Sequence, residues 1–111
     1  MTLLEWMISY LSDRNKANSL YRRGMSKAKK HNHQGAIEDY TMALGVPDTP
    51  SEMRAMILYN RGLVHVAAGM ASEGADDLNA VLAMDEVAPN VKTAAERKLS
   101  RIKARKSKRI A

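Results

Sequence analysis

The 111-residue chain repeats itself at a fixed offset. Leu20-Tyr21-Arg22-Arg23-Gly24 returns as Leu58-Tyr59-Asn60-Arg61-Gly62. Ala36-Ile37-Glu38-Asp39-Tyr40, followed by Ala43-Leu44, returns as Gly74-Ala75-Asp76-Asp77-Leu78, followed by Val81-Leu82. Gly24 and Gly62, Ala36 and Gly74, Tyr40 and Leu78, and Leu44 and Leu82 each stand 38 positions apart. A fixed period over alternating helical blocks restricts the chain to a repeat architecture, in which copies of one unit share a core. Units of this kind usually bind rather than catalyse.

Composition narrows the choice further. The length suits one domain with one modest core. There is no Phe, one Trp and three Pro, while Ala, Met and Leu, all good helix formers, are abundant. The expectation is an all-α domain. Cysteine is absent, which excludes disulfides, thiol catalysis and Cys-ligated metals and suits a reducing cytoplasm. The apolar start superficially resembles a signal peptide, but it lacks a basic flank and a small-x-small cleavage site and carries Glu5. No apolar run approaches the roughly 20 residues of a membrane span. The reading is a soluble, unprocessed, cytoplasmic chain, and the opening Met agrees with a complete small protein.

Helix signals divide the chain into four segments. Residues 1–16 hold an amphipathic helix: Thr2 and Glu5 have capping-box spacing, and Leu3, Leu4, Met7, Ile8 and Leu11 share one face. The polar stretch 13–19 contains neither Gly nor Pro, so a break and a continuous helix both fit. Residues 17–50 form the first repeat, with helices over 17–31 and 36–44. Gly45 is the expected C-terminal cap before Pro47 and Pro50, and Ser51 the expected cap of the next helix. Residues 51–88 form the second repeat, with helices over 52–68 and 72–84 and a turn at Gly69. Residues 89–111 form a basic capping helix, running from about Val91 toward Lys106.

The two units resemble tetratricopeptide repeats. Leu20, Gly24, Ala36, Tyr40 and Ala43 match the family pattern in the first unit, and Leu58, Gly62, Gly69, Gly74 and Leu78 match it in the second. The chain departs from the pattern in its period, 38 rather than 34, through the insert at 45–50. It also carries His31 where a turn Gly is usual, Val81 where a smaller residue is usual, and displaced closing prolines at Pro50 and Pro89. The resemblance implies antiparallel helical hairpins stacked as a short superhelix, two repeats between N-terminal and C-terminal capping helices. About three repeats are usually needed for stability, so the outer helices or a second copy must complete the core.

The resemblance also implies a concave groove lined by the first helix of each unit, holding a peptide or a helix. Carried over, the groove presents Tyr21, Met25 and Lys29, with Asn18 and Ala28, from the first unit. From the second it presents Met56, Tyr59, Asn60, Leu63 and Val66, with Ala67. A competing reading has this floor covered by the chain's own residues 1–11. The family's clamp for a terminal carboxylate is poorly matched. Asn60 and Arg97 fit it, but Tyr21, Met25 and Thr93 stand where its other donors belong.

Charge is uneven. Residues 92–109 carry Lys92, Arg97, Lys98, Arg101, Lys103, Arg105, Lys106, Lys108 and Arg109 against Glu96 alone, and Arg14 to Lys30 adds seven further basic residues without an acid. The terminal patch (Arg97, Lys98, Arg101, Lys103, Arg105, Lys106) reads as a solvated cap or as a phosphate-binding surface. Without aromatic residues for base stacking, any nucleic-acid binding there is sequence-blind. Only Leu99, Ile102 and Ile110 form its apolar side, a weak basis for lying on a membrane.

No catalytic residue, metal site or cofactor is expected. His31 and His33 flank Asn32 in a turn without a third ligand. Glu38-Asp39 and Asp76-Asp77 are adjacent in sequence and point to different sides of their helices, unlike an opposed acid/base pair. The glycines are isolated rather than grouped in a phosphate loop. The functional expectation is a non-enzymatic protein-interaction adaptor. A nucleic-acid accessory protein and a self-assembling structural unit are the alternatives. The expected partners are another protein or peptide, a second copy, or nonspecific nucleic acid.

Overall fold

The computed structural model describes residues 1–110; Ala111 and the side chain of Ile110 lie outside that description. The described residues form an all-helical structure of five helices: α1 (Leu3–Lys29), α2 (His33–Leu44), α3 (Ser51–Ala67), α4 (Ala71–Ala83) and α5 (Pro89–Ile110). There is no strand among the described residues. Consecutive helices pack on one another, and α3 also touches α1 and α5. The molecule is elongated, 61 × 30 × 19 Å.

The polar stretch 13–19 is helical, so α1 runs unbroken for 27 residues and the 16/17 boundary falls inside it. Its start is fixed by the expected capping box: Thr2 Oγ1 accepts from the Glu5 amide at 3.1 Å, and the Thr2 amide donates to Glu5 Oε2 at 3.0 Å. The following turn places His31 at φ 60°, in the left-handed region, and its repeat counterpart Gly69 at φ 83°. Only the second unit uses the residue type that occupies this region without steric cost.

One cap assignment holds in an unexpected conformation and two differ from the sequence reading. Gly45 does end α2, but at φ −82°, so its conformational freedom is unused, and the left-handed residue of that loop is Asp48 at φ 58°. Ser51 is the first helical residue rather than the cap, and Pro50 precedes it without a side-chain hydrogen bond. Asn32, not foreseen as a cap, accepts from the Gly35 amide at 3.0 Å and starts α2 three residues early.

The core has two centres in repeat-related places. The first joins Ala17, Leu20, Ala36, Tyr40, Ala43, Val46, Ile57 and Val64 across α1, α2 and α3. The second joins Leu78, Val81 and Ala95, with Leu58, Tyr59, Val91, Leu99 and Ile102 around them, across α3, α4 and α5. The glycines allow this close approach. A Cβ on Gly24 would lie 2.6 Å from the Tyr40 ring, and one on Gly74 would lie 2.9 Å from the Gly62 carbonyl oxygen.

The outward faces of α1 and α5 opposite the core are polar where the repeat offset can be followed. Met53, Ile57 and Val64 turn α3 toward α2, and Val91, Ala95 and Ile102, each 38 positions later, turn α5 toward α4. The α1 residues 38 positions earlier are Asn15, Ser19 and Ser26, all exposed. On α5, the counterparts of Leu58 and Gly62 are Glu96 and Ser100, also exposed. Polar outer faces of this sort terminate a repeat stack.

Candidate docking groove

Beside each core centre lies the same buried ion cluster. Asp39, 2% exposed, receives both ends of the Arg23 guanidinium, Nε at 2.9 Å and Nη2 at 2.8 Å, and Lys27 Nζ at 3.0 Å. At positions 38 later, Asp77 receives Arg61 Nε at 2.9 Å and Nη2 at 2.7 Å, and His65 Nδ1 lies 2.9 Å from it. Bidentate guanidinium–carboxylate pairs fix orientation as well as distance. They lock α1 to α2 and α3 to α4 at one rotation, which decides which residues of α1 and α3 are left facing the groove. The Arg23 guanidinium, helped by Lys27, holds the Asp39 carboxyl below the usual carboxylate range against the opposing pull of burial. These acids are structural, and the adjacent-acid motif of each repeat contributes one buried member and one exposed member, Glu38 or Asp76.

Between the middle of α1 and the first turns of α3 lies a pocket of about 320 Å³, lined by Arg14, Asn18, Tyr21, Pro50, Glu52, Met53 and Met56. A second, of about 220 Å³, lies between α3 and α5 and is lined by Glu52, Ala55, Met56, Val87, Ala88, Asn90 and Val91. The two are repeat-related: Arg14 and Glu52, Asn18 and Met56, Pro50 and Ala88, Glu52 and Asn90, and Met53 and Val91 are each 38 positions apart. Glu52 and Met56 belong to both linings, so the two pockets adjoin across α3 as a two-part furrow. Its floor is pinned where Asn60 Nδ2 donates to the Tyr21 hydroxyl at 2.8 Å, with a second bond to the Met56 carbonyl at 2.8 Å. Burial pushes the Tyr21 phenol upward, so the hydroxyl stays neutral. Tyr40, beneath it with ring centroids 6.0 Å apart, is pushed up to about 12, chiefly by burial and then by Tyr21 and Asp39.

The structure sorts the expected groove residues. Tyr21 and Met56 line the furrow, and Asn60 braces it. Both hydrogens of the Asn60 amide are engaged within the chain, which further weakens the match to a carboxylate clamp. Met25 packs on the first core centre and Tyr59 on the second. Val66 is half-buried and packs toward α4, its Cγ2 lying 2.6 Å from where a Gly74 Cβ would be. Lys29 is exposed at the far end of α1, and Leu63 is half-buried. Sequence reasoning missed Arg14, Pro50, Glu52, Met53 and the Val87–Asn90 side. The signal was present, since the 38-residue offset can be carried back from Asn90 to Glu52 and Arg14. Residues 1–13 line neither pocket, so the first turns of α1 do not cover the furrow.

The basic patch lies elsewhere. Arg97, Arg101, Lys103, Arg105 and Lys106 are exposed and Lys98 is half-buried. Among the described residues, none of the six forms an ion pair. No group of His, Cys, Asp or Glu among the described residues is placed to hold a metal ion, and no described helix is long and apolar enough to cross a membrane. Compared with protein-family models, curated proteins and solved structures, the chain has no match.

Proposed function

We propose that the chain is a non-enzymatic, tetratricopeptide-type adaptor whose two hairpins stack as a short superhelix and dock a peptide or helix across the middle of α1 and the first turns of α3 and α5. The observation that carries this reading is the repeated furrow, which presents equivalent positions of successive first helices along one line. Its apolar surface comes from Tyr21, Pro50, Met53, Met56 and Val91, and its polar points are Arg14, Asn18, Glu52 and Asn90. Methionines adapt to varied apolar partners, and flanking charges of both signs set orientation. The partner is a segment with a large apolar anchor and polar flanks.

Selection of a random peptide library against the chain tests this. Enriched peptides should lose at least tenfold in affinity with Met56→Glu, at unchanged helicity, and keep it with Arg105→Gln. Failure to enrich any peptide, or binding indifferent to Met56→Glu, contradicts the assignment.

A second reading rests on the unpaired cations of α5, exposed from Lys103 to Arg109. They suit sequence-blind contact with nucleic-acid phosphates, and the affinity should then fall steeply with salt. Absence of binding to RNA or DNA at low salt removes it.

A further inference from the structure

The first ten residues of α1, Leu3 to Ser12, have no counterpart in the repeat. The offset that carries Pro89 back to Ser51 carries Ser51 back to Asp13, so α1 overhangs the rest of the stack by about 15 Å. The overhang is apolar and bare: Leu3 is 74% exposed, Leu4 68%, Ile8 60%, Leu11 53%, Trp6 51% and Met7 45%. Together these side chains offer on the order of 700 Å². That exceeds the roughly 300–600 Å² of the largest patch on a typical monomer and approaches the roughly 800 Å² each partner buries in a standard interface.

The patch continues an interface that already exists. Steps of seven residues keep the same face of a helix. Leu3 and Tyr10 lead to Ala17 and Gly24, Met7 and Arg14 lead to Tyr21, and Leu4 and Leu11 lead to Asn18 and Met25. Lower on α1 this face is covered, Ala17 and Gly24 being buried and Tyr21 and Met25 packed on the core that α1 shares with α2 and α3. Toward the start of α1 the same face is exposed at Leu3, Leu4, Met7 and Leu11, with Tyr10 half-buried against Trp6.

Charge selects the occupant. Residues 1–13 carry Glu5 and Asp13 and no Lys or Arg, the reverse of a helix made for anionic lipid. The basic residues of this +6 chain are concentrated instead on α5, which does not touch α1. Two copies meeting at residues 1–13 keep their basic tails out of the contact. The spacing is self-complementary as well. In an antiparallel pair centred between Met7 and Ile8, Leu4 of one copy meets Leu11 of the other and Met7 meets Ile8, an isologous two-fold contact.

We propose that the α1 overhang is a homodimerisation surface, joining two copies through antiparallel pairing of residues 3–11 and leaving both furrows open. The test is sedimentation of the full chain over a range of concentrations, with anionic-vesicle flotation in parallel. The expected result is reversible doubling of the 12.3 kDa mass, lost in Leu4→Glu/Ile8→Glu at unchanged helicity, with no flotation. In this cysteine-free chain, mixing Leu4→Cys with Leu11→Cys should give mainly the mixed disulfide. A wild-type chain that stays monomeric, a dimer indifferent to the double substitution, flotation abolished by it, or Leu4→Cys pairing with itself overturns the proposal.

Discussion

The two hairpins share a skeleton but not the same tolerance. Around Asp39, Arg23 is 55% and Lys27 33% exposed; around Asp77, Arg61 is 20% and His65 9% exposed. The first cluster lies on α1, whose neighbouring outer face is polar and uncovered at Asn15, Ser19 and Ser26, and the second is the more enclosed of the two. Identical local geometry therefore carries different energetic weight. A repeat unit's stability depends on what stacks against it as well as on its own contacts.

Removing the carboxylates breaks the comparison most sharply. Asp77→Ala strands a largely covered guanidinium and should cost about 3 kcal/mol. Asp39→Ala releases Arg23 and Lys27 into water and should cost clearly less. Urea unfolding of the two variants measures both, and equal losses would contradict the difference in enclosure. The Asp39 contribution also has a defined pH window. Its folded pKa is depressed, so its stabilisation is complete above the unfolded value near 3.9 and is lost as pH falls through the lower folded value. The gap between wild type and Asp39→Ala should be constant from pH 5 to 7 and close below about pH 4.

Next comes the small-residue contact. Ala36 fits opposite Gly24, but Gly74→Ala would bring its Cβ to 2.9 Å from the Gly62 carbonyl and 2.6 Å from Val66 Cγ2. Such overpacking should cost about 2 kcal/mol. A neutral result in thermal unfolding would mean that α3 and α4 separate more easily than their packing suggests. The smallest effect sharpens the comparison by making the hairpins more alike. His31→Gly gives the first turn the residue its counterpart Gly69 already has, and should stabilise the chain by about 1 kcal/mol.

Much of the fold was legible because the repeat sets helix order, turn positions and core residues together. Leu20, Tyr40 and Leu78 are buried or packed where the repeat placed them, as fits a period read from apolar and small residues. Continuity through 13–19 was not legible, because a polar stretch without Gly or Pro allows both outcomes. The docking surface was legible only in part. The family pattern gives positions such as Tyr21 and Asn60, but the pockets extend one to two turns further toward the helix N-termini, to Arg14 on α1 and Glu52 on α3, with the 45–50 insert supplying Pro50. The packing of Val66 toward α4 was not legible, because helical spacing puts a residue on a face without saying which neighbour that face meets.

The most direct test of the docking claim is a two-dimensional amide NMR map of the labelled chain with a library-selected peptide. The account predicts shifts concentrated at residues 14–21, 50–60 and 87–91, with α2, α4 and residues 97–109 unmoved. Shifts confined to 97–109, or spread over α2 and α4, would contradict it.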